Sequence, residues 1–270
     1  MKSQFEVLPF ARAEEEAAKL TEPLSLTVTC SPAHGIDRTV EVAGRLAALG
    51  HSVTVHLAAR MVEDRAHLDR VLATMAGTGV EGAFVIGGDT TPPLGPFASA
   101  GEVLPLLTEH PHRPRSIGIG GYPEGHPLID DVTLARALRE KSELADYAVT
   151  QLCFDPDALL GWVRRIREAG IELPVLAGVP GMVDRARLLE ISMRVGVGPS
   201  FSFLRKQGGL RGLLRLSGAS ADHLYDAVSP HVGDPALNIA GFHYYTFNRL
   251  LETWAWERGR RSAEAPAGVK

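Results

Sequence analysis

The amino-acid sequence predicts an α/β fold, a single-domain (β/α)₈ TIM barrel, on three observations. The chain has 270 residues, close to the roughly 250 that such a barrel takes as one domain. Short β-rich runs alternate with helical patterns from one end to the other, which is typical of parallel strands covered by helices. No Gly-x-Gly-x-x-Gly motif follows the first strand, so the closed barrel is favoured over its alternative, a doubly wound open sheet.

The predicted strands are short runs in which apolar residues dominate. Several of them are continuously apolar, as expected where both faces of a parallel sheet are buried. Their number matches the eight strands of a barrel. The strand candidates are 4–9, 24–30, 52–58, 82–88, 115–121, 147–154, 173–179 and 241–247.

The helices are predicted from apolar periodicity and from residues that begin or end a helix. Segment 68–75 has apolar residues at i, i+3, i+4 and i+7, and Gly77 is predicted to end that helix. Asp155 followed by Pro156 predicts a capped start with proline in the first turn, and Gly170 predicts the end of the same helix.

The spacing of the elements is regular except between the last two strands. Residues 184–239 are predicted to hold more than one helix and a turn-rich stretch at 207–212. We assign residues 1–257 to the barrel and expect 258–270, which are rich in Arg, Ala, Gly and Ser, to form a flexible tail.

The composition excludes several classes of protein. The net charge of −4, with acids and bases mixed, argues against a nucleic-acid partner, and no apolar run suits a signal peptide or a membrane span. Two cysteines, Cys30 and Cys153, are typical of a reducing compartment and lie too far apart in sequence to indicate a metal site. We therefore expect a cytoplasmic protein without a metal. A monomer is compatible with this composition, which leaves the oligomeric state open.

Polar residues near the carboxyl ends of the strands are the candidate site, because barrel active sites form at that end. Glu6 is the sharpest of them, since a charged residue inside an apolar strand is rare unless it is paired or functional. The residues of this kind are Glu6, Thr29, His56, Asp89, Tyr122, Glu124, His126, Gln151, His243, Tyr245, Asn248 and Arg249.

Most of these residues also have a structural interpretation. His56 is compatible with a core histidine whose hydrogen bonds are satisfied, and Asp89 with an Asx turn in the following loop. Gln151 is compatible with a bond to loop backbone, and Tyr245 with simple core packing. Asp155 is better explained as a helix cap than as a catalytic group. The candidate site therefore depends on the joint placement of the residues and not on any one of them.

Five motifs, in order along residues 5–249, resemble the methylenetetrahydrofolate reductase family. The third and fifth of them are the most specific. The motifs are Phe5-Glu6-Val7-Leu8-Pro9, Gly87-Gly88-Asp89 with Pro92-Pro93, Gly121-Tyr122-Pro123-Glu124-Gly125-His126-Pro127, Thr150-Gln151-Leu152-Cys153-Phe154-Asp155 and Phe242-His243-Tyr244-Tyr245-Thr246-Phe247-Asn248-Arg249.

The resemblance implies the NAD(P)H-dependent reduction of 5,10-methylenetetrahydrofolate to 5-methyltetrahydrofolate, a step of one-carbon metabolism that serves methionine biosynthesis. It implies that Glu6 is the general acid and that Asp89 and Gln151 contact the pterin. Tyr245 and Arg249 match residues on the folate side. Positions that contact flavin in the flavoprotein members correspond to Thr29, His56, Tyr122, His126 and Lys141.

Two departures from the family pattern bear on the cofactor. Gly87 stands where flavoprotein members commonly have arginine, and Leu134 stands where they have aspartate. An arginine would pair with the pyrophosphate of FAD, and an aspartate would accept hydrogen bonds from polar groups of the cofactor. The sequence is therefore more similar to the actinobacterial branch that uses NADH directly, and FAD is doubtful. No feature of the sequence separates NADH from NADPH.

Three alternatives stay open beside this hypothesis. The first is the same reaction through bound FAD, and the second is a folate-binding barrel without catalysis. The third is a barrel lyase or aldolase, which would need a lysine at a strand end or a metal cluster. The lyase is the weakest, because the strand candidates contain no lysine and Lys141 lies in a helical segment.

Overall fold

Eight parallel strands pair in chain order and close on themselves, with β1 paired to β8. The computed structural model describes residues 1–183 and 216–264. The predicted barrel is confirmed. Its strands are β1 (Lys2–Val7), β2 (Ser25–Val28), β3 (Ser52–Ala58), β4 (Gly82–Ile86), β5 (Ser116–Gly121), β6 (Tyr147–Thr150), β7 (Val175–Pro180) and β8 (Ile239–Tyr245).

Each predicted strand is present, but several bounds differ for local reasons. β1 ends at Val7 and not at residue 9, because the N–H of Leu8 donates to Oδ1 of Asn248 at 2.7 Å instead of to a strand. β6 ends at Thr150 and not at residue 154, because Oε1 of Gln151 turns back to accept from the N–H of Leu152 at 2.8 Å. A side chain replaces the strand partner at both places.

Helices follow the strands around the barrel and begin or end at recognisable residues. The Asp155 carboxylate caps its helix by accepting from the N–H groups of Asp157 and Ala158, as predicted. The prediction for Gly77 is wrong: that helix continues to Thr78 and ends at Gly79, which has a left-handed φ of 76°. The helices are α1 (Ala11–Ala17), α2 (Gly35–Ala48), α3 (Arg65–Thr78), α4 (Ala100–Thr108), α5 (Asp131–Ser142), α6 (Pro156–Glu168), α7 (Leu216–Val228) and α8 (Leu250–Glu264).

Residues 258–264 are more ordered than the sequence suggested. These residues, which were expected to belong to a flexible tail, continue α8 to Glu264. The rest of that prediction lies outside the described residues. The guanidinium groups of Arg258 and Arg260 lie over the rings of Trp254 and Tyr225, at 5.4 and 5.2 Å from their centres. These cation–π contacts stabilise the last turns of the helix. Most of the stretch predicted at 184–239, including the turn at 207–212, lies outside the described residues.

The barrel interior combines polar and aromatic side chains with a small apolar cluster of Phe84, Val149 and Leu176, whereas the outward faces of the strands carry the main apolar core. Glycines make room inside: a Cβ added at Gly118 would lie 2.5 Å from Cζ of Tyr147. One added at Gly178 would lie 2.9 Å from Cε2 of Tyr245. Most barrels of this type fill that space with branched aliphatic residues. Here aliphatic residues such as Val149 and Leu176 fill part of the space, and rings and ionisable side chains occupy the rest.

None of the described helices is long and apolar enough to cross a membrane.

Candidate active site

Glu6 lies inside the barrel, and one of its carboxyl oxygens faces two histidines. Its neighbours Phe5 and Val7 are each 1% exposed and point to the outer core, so strand alternation turns Glu6 inward. Oε2 of Glu6 is 3.3 Å from Nε2 of His243 and 3.4 Å from Nε2 of His56. The Glu6 side chain is 15% exposed, so solvent reaches a group that is otherwise enclosed.

His243 joins Glu6 to a second side chain of β1. Its Nδ1 is 2.9 Å from Oε1 of Gln4, and the residue is 1% exposed. The sequence places His243 among the candidate site residues without a specific role and does not single out Gln4. The signal was present, because Gln4 precedes Glu6 by two residues and His243 precedes Tyr245 by two, the spacing that puts strand residues on one face.

His56 is buried on β3 and is held in its neutral form. Burial lowers its pKa from 6.5 to about 4; the charge of Glu6 opposes this shift, and His243 adds to it. Its ring packs against Phe84 with centres 4.8 Å apart. Although Nε2 lies 3.4 Å from Glu6, it makes no hydrogen bond of regular geometry within the described residues. Nε2 of His56 therefore lacks a regular hydrogen-bond partner among the described residues, and the ring is uncharged near neutral pH.

Tyr245 lies in the barrel interior on β8, beside the ends of β6 and β7. Its hydroxyl donates to the carbonyl of Thr150 at 2.9 Å. Burial raises its pKa well above 10, and the charge of Glu6 raises the pKa further. Tyr245 is therefore a neutral phenol that packs against the glycine position of β7, with its polar tip already engaged.

Asp89, Tyr122 and His126 lie on the loops at the barrel rim. Asp89 is exposed after β4, while Tyr122 is partly buried after β5. Burial raises the pKa of Tyr122, and the negative charge of Asp89 raises it further. The two side chains are therefore close enough to interact electrostatically. The rings of Tyr122 and His126 meet edge to face with centres 5.3 Å apart. The rim therefore combines an anionic group with an aromatic pair.

Four other predicted residues make no described contact with Glu6, His56 or His243. Gln151 uses Oε1 on loop backbone, which was its structural alternative. Arg249 pairs with Glu252 in the first turn of α8. Thr29 has a buried hydroxyl without a hydrogen-bond partner among the described residues. Lys141 is partly buried on α5, and burial lowers its pKa.

The cysteines do not form a reactive pair. Both are free, and burial is the first cause that raises the pKa of each thiol. Sγ of Cys153 lies 3.4 Å from Oε1 of Glu124 and 3.2 Å from the carbonyl of Asp155. A thiol in such surroundings stays protonated and unreactive.

Comparison with known proteins identifies the family. The family model for methylenetetrahydrofolate reductase matches residues 10–195, more than half of the chain. The chain belongs to this family. The match includes the rim residues Asp89, Tyr122 and Gln151, whereas Glu6 and His243 lie outside it, so their roles depend on geometry and on the sequence motifs.

Individual members of the family are similar over parts of the chain. Methylenetetrahydrofolate reductase 1 of Schizosaccharomyces pombe is 33% identical over 85 residues, which cover 31% of this chain and 14% of that protein. Methylenetetrahydrofolate reductase (NADH) 1 of Arabidopsis thaliana is 29% identical over 210 residues, 65% of this chain and 34% of that protein. The chain thus spans about a third or less of the length of these relatives.

Among solved structures, the chain is similar to tryptophan synthase from M. tuberculosis, with a TM-score of 0.47 and 17% identity over 83% of this chain and 92% of that one. The fold rests on the strand pairing described above and not on this weak similarity.

Proposed function

We propose that the protein reduces 5,10-methylenetetrahydrofolate to 5-methyltetrahydrofolate, with NADH as the hydride donor and Glu6 as the general acid. Membership in the methylenetetrahydrofolate reductase family supports the reaction, and the Arabidopsis relative named for NADH supports a nicotinamide nucleotide. The observation that carries the mechanism is the enclosed Glu6 carboxyl, whose Oε2 faces His243 and His56 at 3.3 and 3.4 Å.

The chemistry requires a proton at one nitrogen and a hydride at one carbon. The five-membered ring of the substrate opens when the bond from the bridging carbon to N10 breaks, which leaves an iminium at that carbon and needs a proton on N10. Glu6 would donate this proton. Bound NADH supplies the hydride that converts the carbon into a methyl group. General acid catalysis of this kind contributes roughly 10² to 10⁴-fold in rate.

The rim residues would hold the substrate. The Asp89 carboxylate suits the amino and ring N–H groups of a pterin, and its charge would favour the cationic iminium. Gln151 has an amide that can both donate and accept, although its Oε1 would first have to leave the N–H of Leu152. Tyr122 and His126 offer aromatic faces against which the nicotinamide could lie. Arg249 would bind a carboxylate of the folate only if it kept Glu252 as a second partner or released it.

We further propose that the reaction proceeds without flavin. Residues suited to FAD are missing where flavoprotein members have them: no side chain at Gly87 can pair with a pyrophosphate, and Leu134 cannot accept a hydrogen bond. Lys141 carries no ion pair within the described residues, and burial is the one cause of its lowered pKa. Gly87 and Leu134 fit a flavin poorly, whereas Lys141 is a cation that an anionic group could pair with, and no step is assigned to a flavin.

The mechanism is tested by Glu6→Gln in the full chain. We expect turnover of NADH with methylenetetrahydrofolate to fall by roughly 10² to 10⁴-fold, while the affinity for the folate changes little. Glu168→Gln, an exposed residue of α6, is the matched control and should keep normal turnover. Near-normal turnover in Glu6→Gln would contradict the acid role.

Cofactor use is tested on the same purified protein. We expect a colourless protein that oxidises NADH in the presence of the folate, and a parallel assay with NADPH measures the preference between the two donors. Visible absorbance bands of a bound flavin would contradict the flavin-free route and favour the FAD alternative. Folate binding without oxidation of either nucleotide would instead favour a non-catalytic folate-binding barrel.

A further inference from the structure

We propose that Gln4 and His243 are positioning residues for Glu6. In this arrangement Gln4 holds His243 in the tautomer with its proton on Nδ1, and Nε2 is left to accept the proton of the Glu6 carboxyl. The effect on turnover rests on the proposed function, whereas the tautomer does not and can be measured alone.

The first step concerns the amide of Gln4. Its Oε1 lies 2.9 Å from Nδ1 of His243, and an amide oxygen can only accept a hydrogen bond. The other end of the amide is near Tyr147, whose pKa is raised by burial and lowered in part by interaction with Gln4. That direction is expected when the amide N–H groups point toward the phenol oxygen. The Tyr147 hydroxyl makes no hydrogen bond of regular geometry, so this is an orienting contact only.

The second step follows from the chemistry of a neutral imidazole. With a proton on Nδ1, the ring presents a bare lone pair at Nε2. That lone pair faces Oε2 of Glu6 at 3.3 Å in a place where His243 is 1% exposed. Two acceptors facing each other are unfavourable, because neither satisfies the other and Nε2 of the buried His243 has no access to water. A single proton held between Oε2 and Nε2 removes the conflict. We place it on the Glu6 carboxyl, whereas an imidazolium with both ring nitrogens protonated would overturn the proposal.

The third step considers every ionisable group that faces Glu6. These are His56 from β3 and His243 and Tyr245 from β8. Burial keeps His56 neutral near neutral pH, and Tyr245 is a neutral phenol. Among the described residues, no lysine or arginine forms an ion pair with Glu6. His56 and Tyr245 are therefore neutral neighbours, and His243 is the ionisable neighbour whose Nε2 lies 3.3 Å from Oε2 of Glu6.

The tautomer is measured by nitrogen NMR on the full chain labelled with ¹⁵N-histidine, with the His243 signals assigned by their loss in His243→Gln. We expect a protonated Nδ1 and an accepting Nε2. His51 is an internal reference for the opposite tautomer, because its Nδ1 accepts from the N–H of Leu24 at 3.1 Å and its Nε2 faces the carbonyl of Ala17. A His243 signal pattern like that of His51 would overturn the proposal.

The consequence for Glu6 is measured with two substitutions of Gln4. Gln4→Met keeps the shape but cannot accept, so His243 can move its proton to Nε2 and donate to an ionised Glu6. Turnover at neutral pH should then fall by about tenfold, part of the full acid contribution, and recover as the pH is lowered. Gln4→Glu keeps an acceptor opposite Nδ1, so the Nδ1 proton of His243 should be retained in the nitrogen spectrum of that variant, in contrast to Gln4→Met.

A purely structural role for Gln4 makes a different prediction. It would lower turnover by the same factor at every pH and would leave the His243 tautomer unchanged in Gln4→Met, and that result would overturn the proposal. The wild-type NMR measurement does not depend on any Gln4 variant folding. If the predicted tautomer is present in a protein that does not reduce the folate, the positioning inference survives and the proposed function fails.

Discussion

His56→Gln should make the fold less sensitive to acid, because it removes a buried histidine that resists protonation. The pKa of His56 is about 4 in the folded protein against an ordinary 6.5, and burial is the main cause. Between these two values the unfolded chain binds a proton that the folded chain does not. The stabilising contribution is therefore present above pH ~6.5 and is lost as the pH falls through ~4.

The size of the effect follows from the shift. A difference of about 2.5 pKa units corresponds to about 3 kcal/mol when it is fully expressed, at about 1.4 kcal/mol per unit. At pH ~5, His56 is still mostly unprotonated in the folded protein but mostly protonated in the unfolded chain. About 2 kcal/mol of the free energy of unfolding should therefore be lost between pH ~7 and pH ~5. This is a large share of the roughly 5–15 kcal/mol that stabilises a typical domain.

Urea unfolding at the two pH values measures this contribution. The free energy of unfolding should fall by about 2 kcal/mol less in His56→Gln than in wild type when the pH is lowered. His112→Gln is the matched control, since His112 is exposed at the surface, and it should follow the wild-type pH dependence. The reasoning is refuted if wild type and His56→Gln lose the same free energy over this range.

Three further substitutions test local features by urea unfolding at neutral pH. Asp155→Ala removes the cap of α6 and should cost about 1 kcal/mol; an unchanged free energy would mean that the cap is replaced. Gly178→Ala would put a Cβ 2.3 Å from the Thr150 carbonyl, so we expect a loss of about 1–3 kcal/mol, and full stability would contradict the tight packing of the interior. Asn248 has a left-handed φ of 60°, and its side chain accepts a hydrogen bond from the N–H of Leu8. Asn248→Ala removes this acceptor and should cost ~1 kcal/mol or more; a smaller loss would show that the contact is dispensable.

Much of the architecture was predictable because its causes are local. Apolar runs of strand length and helical periodicity depend on neighbours a few residues away, and all eight predicted strands are present. The Asp155 cap was predictable for the same reason. The end of α3 was not, because Gly77 and Gly79 are alike as residues and differ only in which one takes the left-handed backbone.

The candidate site was predictable in part. Alternation along β1 is enough to put Glu6 on the opposite face from Phe5 and Val7, and the motif marks it as unusual. The sequence did not predict the particular local partners of Arg249 and Gln151. Arg249 pairs with Glu252, and Gln151 accepts a hydrogen bond from the N–H of Leu152. Such partners depend on how a loop or a first helical turn is built, and no spacing rule predicts them.

The sequence by itself determined the strand and helix pattern, the family resemblance and the acidic residue inside an apolar strand. Only the tertiary structure decided which groups surround that acid. Glu6 and His243 are 237 positions apart and become neighbours because β8 returns to pair with β1 when the barrel closes. His56 reaches the same oxygen across the interior from β3. These encounters depend on strand register and ring closure, which are global properties that local patterns along the chain do not encode.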